Sequence, residues 1–308
     1  MTRLEPRPAT TPQERTGGQL VAEIASRLDG PAAPSPRLDA ELLVAHAFGR
    51  DRAWLRAHPE AVLDRDGAEA LAGWVERRAA GEPIAYIRGF KEWLSLRVAT
   101  DRRALIPRPE TELLAEAAIS EIAARLARDD APVGAWEVAT GSGAISLAIA
   151  ARFRTALALG RLRLTGSDLS AEALELASEN LAAHGLAGLV TLACGDLLEP
   201  APSSDGSVDL LIANLPYLTS HEVESGGGSL DWEPRQALDG GADGLDLLRT
   251  LIGGLPERLG RGGVALLEIG DGQAAAVRAM AGGLPARAAV TTLRDLAAIE
   301  RVVRIALV

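Results

Sequence analysis

The chain has 308 residues, 47% of them hydrophobic and 24% charged, which suits one large globular domain or two ordinary ones. A formal net charge of −10 lacks the basic surface that phosphate backbones demand, and 3% aromatic residues leave few platforms for stacked bases; both argue against nucleic acid as the direct substrate. The single cysteine, Cys194, excludes an intramolecular disulfide and suits a reducing, cytoplasmic setting.

Residues 1–18 are rich in Pro, Thr, Arg and Glu and contain no apolar run. They predict a disordered tail, not a signal peptide or a membrane span. Residues 19–82 carry helical periodicity. Leu20, Ile24 and Leu28 recur every fourth position. Beyond a Pro-rich break, Leu38, Leu42, Leu43 and Ala47 give a second stripe. Asp66 is placed to cap a further helix with Leu71, Trp74 and Val75. A small α-helical domain follows from this. Residues 83–106 alternate loosely and predict a β-hairpin linker. Pro107-Arg108-Pro109-Glu110-Thr111-Glu112 is a stiffened turn that opens a helix.

Residues 107–308 form the remaining domain, in which strands alternate with helices. Candidate strands are Ala135–Ala139, Arg163–Ser167, Leu189–Cys194, Val208–Ala213, Gly263–Ile269, Arg287–Thr292 and Arg301–Val308. This order predicts an α/β fold with a mostly parallel sheet covered on both faces. Gly226-Gly227-Gly228 reads as a flexible loop.

Glu137-Val138-Ala139-Thr140-Gly141-Ser142-Gly143 closes the first strand of that sheet and starts a helix at Ala144. Glycines there let backbone N–H groups approach a ligand. A lone Gly-x-Gly also suits a tight turn that binds nothing. Two acids raise its weight. Asp168, at the end of the second strand, can accept both ribose hydroxyls, although it or Ser170 could equally cap the next helix. Asp196, after the third strand, can accept an adenine amino group while Leu197 packs on the ring. Three such features on consecutive strand ends point to a nucleotide-like cofactor. Neither a full Gly-x-Gly-x-x-Gly nor a Gly-Lys-Ser/Thr is present, so a nucleoside with a small charged tail fits better than NAD or ATP.

The fourth strand runs into Asn214-Leu215-Pro216-Tyr217. A polar amide at the end of a buried strand is costly unless its bonds are satisfied. Pro216 fixes the backbone, and Tyr217 offers a flat face with a polar tip. An amide nitrogen is a poor nucleophile because its lone pair is delocalised. Two acceptors, the Asn214 side-chain oxygen and the Leu215 carbonyl, can hold its hydrogens and aim it at an activated methyl group. A purely structural turn is the competing reading. Other chemistries lack support. His46, His58, His184 and His221 show no metal-ligand spacing, so no metal site is expected. Ser142 and Ser167 have no suggestive histidine beside them. Glu110 and Glu112 read as helix-start acids, and Cys194 as core.

Together these pieces resemble the protein N5-glutamine methyltransferases, specifically the bacterial release-factor glutamine methyltransferases, from about residue 20 to the C-terminus. The most specific strings are Gly81–Ile87, Leu105–Glu112, Glu233–Gly241, Asp243–Asp246, Leu266–Gly270 and Asp295–Ala297. The resemblance implies a class I methyltransferase with a seven-stranded Rossmann-like sheet and S-adenosyl-L-methionine as cofactor. It implies a substrate as well: the glutamine of the Gly-Gly-Gln loop in peptide-chain release factors, engaged through the helical N-terminal domain. Ala139 to Gly143, Asp168, Leu197 and Asn214 would bind the cofactor, and Asn214, Leu215, Pro216 and Tyr217 would hold the glutamine.

This chain departs from the family at three positions: Glu137 replaces Asp, Ala139 replaces Gly, and Leu215 replaces Pro. The first two imply weaker cofactor affinity at most. Asn-Leu-Pro-Tyr is also the form in rRNA adenine-N6 dimethyltransferases, so a base amine is a rival acceptor. A ribosomal-protein glutamine is a second rival, and a weakened cofactor-binding paralogue is a third reading.

Overall fold

Thr16 begins the first helix by capping it. In the computed structural model, which describes residues 15–30, 33–128, 131–200, 202 and 208–308, Thr16 Oγ1 accepts from the Gln19 N–H. The Gln19 side chain accepts from the Thr16 N–H in return, completing a capping box for α1 (Gly17–Arg27). Order therefore starts before residue 19. The rest of the expected tail, residues 1–14, lies outside the described residues.

Leu20, Ile24 and Leu28 are all buried, as their spacing predicts. In α2 (Pro36–Ala47) the buried face is shifted. Ala40, Leu43 and Val44 are inside, whereas Leu38 is 39% exposed. The shift follows from Asp39, which is buried because it accepts from Arg78 Nε at 2.8 Å. A paired acid can occupy an inner face that an apolar count assigns elsewhere. Asp51 caps α3 (Arg52–Ala57). Asp64, not Asp66, caps α4 (Arg65–Ala79), accepting from the Gly67 N–H at 2.7 Å. Asp66 sits in the first turn, where the helix dipole favours an acid.

Residues 84–88 form a short helix, α5 (Ile84–Arg88), where a strand was expected. Pro83 fixes the backbone for a helical start, and its carbonyl accepts from Tyr86 and Ile87. The predicted hairpin is confined to β1 (Phe90–Trp93) and β2 (Leu96–Ala99). The chain divides into one compact unit up to Arg88 and another from Gly89 to Val308.

The second unit holds α6 (Thr111–Arg128), β3 (Val133–Val138), α7 (Ala144–Arg152), α8 (Arg154–Ala158), β4 (Leu162–Asp168), α9 (Ala171–Ala183), β5 (Thr191–Cys194) and β6 (Val208–Ala213). It continues with α10 (Ser220–Ser225), α11 (Asp246–Arg258), β7 (Leu259–Glu268), α12 (Ala274–Gly282), β8 (Ala288–Arg294) and β9 (Glu300–Leu307). Seven strands make one sheet in the order β5-β4-β3-β6-β7-β9-β8, with β9 alone running against the other six. Both faces are covered. Leu210, Ile212 and Leu266 pack with Leu114 and Leu147 in one core cluster, and Leu211, Ala265 and Leu267 pack with Leu248 and Ile252 in the other.

The chain winds outward from β3 to β5, then returns to place β6 on the other side of β3. That reversal opens a crevice beyond the strand ends, where ligands bind in sheets of this kind. Gly226 follows α10, and Gly228 begins a short 3-10 turn that ends at Trp232. Among the described residues no helix is long and apolar enough to cross a membrane.

Candidate active site

The turn after β3 is shaped by backbone of unusual handedness: Ala139, Gly141 and Gly143 have φ of +58°, +54° and +76°. Gly143 has a second constraint. A Cβ there would lie 2.9 Å from Ala177 Cβ, so α9 can pack this closely only against glycine. Asn180 of α9, itself buried, donates from Nδ2 to the Ser142 carbonyl at 2.9 Å and holds the turn from that side.

Glu137 grips the turn from beneath. Its Oε2 accepts from Thr140 Oγ1 at 2.8 Å, from the Ser146 N–H at 2.9 Å and from Ser146 Oγ. Burial pushes this carboxyl up to about 7, against the pull of those bonds.

Asp168 ends β4. Its Oδ2 accepts from the Gly141 N–H at 2.8 Å and its Oδ1 from the Ser170 N–H at 2.9 Å. Ser170 is the cap of α9, since its hydroxyl accepts from the Ala173 N–H, so Asp168 is free of that role. Each Asp168 oxygen retains a lone pair for a further donor. Burial raises its pKa, opposed by the N–H groups of Ser170, Gly141 and Leu169. Asp196 is exposed, and Leu197 beside it takes φ of +41°.

Asn214 follows β6. Its Nδ2 donates to Thr111 Oγ1 at 3.2 Å. Leu215 is 2% exposed, with its side chain in the core cluster of Leu245, Leu248 and Leu267. Among the described residues, no donor is bonded to the Leu215 carbonyl. The turn rests on the loop before α11. Leu218 donates its N–H to the Leu238 carbonyl and accepts from the Gly240 N–H, and Gln273 Nε2 donates to the carbonyls of Tyr217 and Gly244, each at 3.2 Å. A Cβ on Gly244, whose φ is +71°, would collide with the Tyr217 carbonyl oxygen. Burial raises the Tyr217 phenol above its ordinary range, with the nearby Glu268 adding to the effect.

Two cavities meet at this turn. The larger, about 670 Å³, is lined by Ala139, Gly141, Asp168, Asp196, Leu197 and Asn214, among others. The smaller, about 210 Å³, is lined by Arg108, Tyr217, Leu230 and Leu238. Leu105, Asn214, Leu215, Pro216 and Ala237 belong to both. Of the sequence-derived cofactor candidates, Glu137, Thr140, Ser142 and Gly143 do not line the larger cavity; all four are buried.

Sequence reasoning missed the residues that join its own motifs. Glu233 Oε2 accepts from the Ile106 N–H at 3.0 Å, and its Oε1 from Arg108 Nη2 at 2.6 Å. Two strings far apart in sequence are thereby fastened together. Glu268 was missed also, although it is the one charged residue in the apolar run Val264–Ile269.

Acceptors on Asp168 and Asp196, apolar faces at Leu197 and Leu169, and a cavity of this volume fit an adenosyl group with a short charged tail. The sheet order and the position of this cavity define a class I, S-adenosyl-L-methionine-dependent methyltransferase. Residues 19–89 match the family model described as PrmC N-terminal domain, and residues 135–226 the one described as Methyltransferase domain. A release factor glutamine methyltransferase of Bordetella pertussis is 39% identical over 87% of this chain and 93% of its own length. One of Moorella thermoacetica is 37% identical over 92% of this chain and 95% of its own. The chain belongs to the release factor glutamine methyltransferase family. The solved catalytic domain of hMettl16, in complex with the MAT2A 3′UTR hairpin 6, is similar in fold, with a TM-score of 0.50 and 13% identity over 78% of this chain and 81% of that one.

Proposed function

We propose that this enzyme transfers the methyl group of S-adenosyl-L-methionine to the side-chain N5 of the glutamine in the Gly-Gly-Gln loop of peptide-chain release factors. The observation that carries the reading is the position of Asn214 at the meeting of a cofactor-sized cavity and a side-chain-sized one. Relatives that align over nearly their whole length are named release factor glutamine methyltransferase, which supports this reading. A release-factor substrate implies a cytoplasmic enzyme.

The cofactor supplies a methyl group already activated on a sulfonium. Asp168 accepts from the ribose, Asp196 and Leu197 receive the adenine, and Ala139 with Gly141 forms the wall beside it. Glu137, Thr140, Ser142 and Gly143 shape that wall from behind. Asn214 Oδ1 and the Leu215 carbonyl accept the two hydrogens of the substrate amide and aim its nitrogen. Pro216 fixes the turn, and the Tyr217 ring lines the slot.

Incubation with labelled cofactor and purified release factor, wild type and with the loop glutamine substituted, tests this beside rRNA. Label on wild-type release factor alone is expected. Label on rRNA, or on neither, would sink the proposal.

A further inference from the structure

Asn214 can accept a hydrogen bond from the substrate amide in only one of its two side-chain orientations. Exchanging Oδ1 and Nδ2 would turn a donor toward donors. The structure controls that choice from behind. Nδ2 donates to the hydroxyl of Thr111, a residue 5% exposed at the start of α6. Beyond it lies Glu268, the last residue of β7, 1% exposed, whose charged form is favoured by the same hydroxyl. An ionised carboxylate only accepts. With the Thr111 proton directed at Glu268, a Thr111 lone pair receives Nδ2, and Oδ1 is left as the free end of Asn214. Glu268 Oε2 has no hydrogen-bond partner among the described residues. A buried acid held this way costs stability, and folding alone gives no reason for it.

We propose that Thr111 and Glu268 are positioning residues that fix the Asn214 amide oxygen-outward for the acceptor nitrogen. The inference rests on the role given to Asn214 above. It makes the site sensitive to the charge on Glu268. A protonated Glu268 can donate to Thr111; the Thr111 proton is then free to turn to Asn214, and the amide loses its fixed orientation. The charged and titratable groups around Glu268 are Glu110, Arg301, Arg108 and Tyr217. Arg301 is paired with Asp295 at 3.0 Å and Arg108 with Glu233 at 2.6 Å. Burial pushes Glu268 up to about 7; Glu110 adds to the push, and Thr111, Arg301 and Arg108 oppose it.

The test compares wild type, Thr111→Val, Thr111→Ser, Glu268→Gln and Asn214→Ala in methyl transfer to release factor, with cofactor affinity measured by calorimetry. Thr111→Val is expected to lower kcat about 10- to 100-fold, the range for removing a group that orients a functional side chain, with cofactor affinity unchanged. Thr111→Ser, which keeps the hydroxyl, restores most of it. Wild-type kcat rises with pH through neutrality, and Glu268→Gln flattens that rise.

Full kcat in Thr111→Val, or a wild-type pH profile in Glu268→Gln, overturns the relay. If Thr111→Val does not fold, the serine and glutamine variants carry the test unaided. An inactive Asn214→Ala beside a fully active Thr111→Val defeats the relay alone. A fully active Asn214→Ala defeats the underlying reading of Asn214.

Discussion

Ser146 gives both of its donors to one oxygen of Glu137: its N–H at 2.9 Å and its hydroxyl. The first turn of α7 is thus tied to the end of β3 underneath the glycine turn. The tie has a pH signature. Glu137 lies near 7 in the fold, against an ordinary value of 4.5, and Glu268 shares the same shift. Between those values the native state holds more protons than the unfolded chain, so stability falls as pH rises. The contribution of this pair is greatest below about 4.5, declines to about 7 and levels off above. Denaturant unfolding across that window should show the decline in wild type, less of it in Glu137→Gln, and least in the variant with both residues changed to Gln. An unchanged slope in the double variant would contradict the assignment.

Asp168 already accepts from two backbone N–H groups before any ligand arrives. Asp168→Ala removes those bonds and the proposed ribose acceptor together. Cofactor affinity should fall by about 1–3 kcal/mol, the scale of lost charge-assisted bonds, and thermal stability should fall with it. Calorimetry showing wild-type affinity would remove Asp168 from the cofactor site.

Ala139 carries a side chain at φ of +58°, in a region that costs a residue with a Cβ roughly 1–2 kcal/mol. Glycine relieves that strain but loses about 0.5–1 kcal/mol through the freedom of the unfolded chain. Ala139→Gly should therefore gain about 0–1.5 kcal/mol in stability. A lower unfolding midpoint would show that the Ala139 methyl makes packing contacts worth more than the strain.

Gly244→Ala drives a methyl group into the Tyr217 carbonyl at a left-handed backbone position. Strain of this kind costs about 1–3 kcal/mol. Because the collision falls on the turn itself, turnover should drop well beyond what the unfolding curve predicts. Proportional losses in the two measurements would mean that the loop supports the fold and not the turn.

The seven strands were readable because each is a short apolar run between turn residues, and the acids at their ends fell at nearly the right positions. Helical faces were less legible. Asp39 sits inside because Arg78, distant in sequence, pairs with it, and no local pattern encodes that partner. Residues 84–88 looked strand-like from their composition, yet a proline start made them helical. Asn214, Asp168 and Gly141 were picked out from turn chemistry, and the structure brings them to one cavity. Thr111, Glu233 and Glu268 were not, since each acts on a residue brought near only by folding.

Leu215 turns its side chain into the hydrophobic core at the edge that the two cavities share. The residue that separates this chain's Asn-Leu-Pro-Tyr from its family's usual form therefore answers to the interior, where volume and shape select among leucine, proline and their like. Its backbone meanwhile stays on the wall of both cavities, so one position serves the core and the site together.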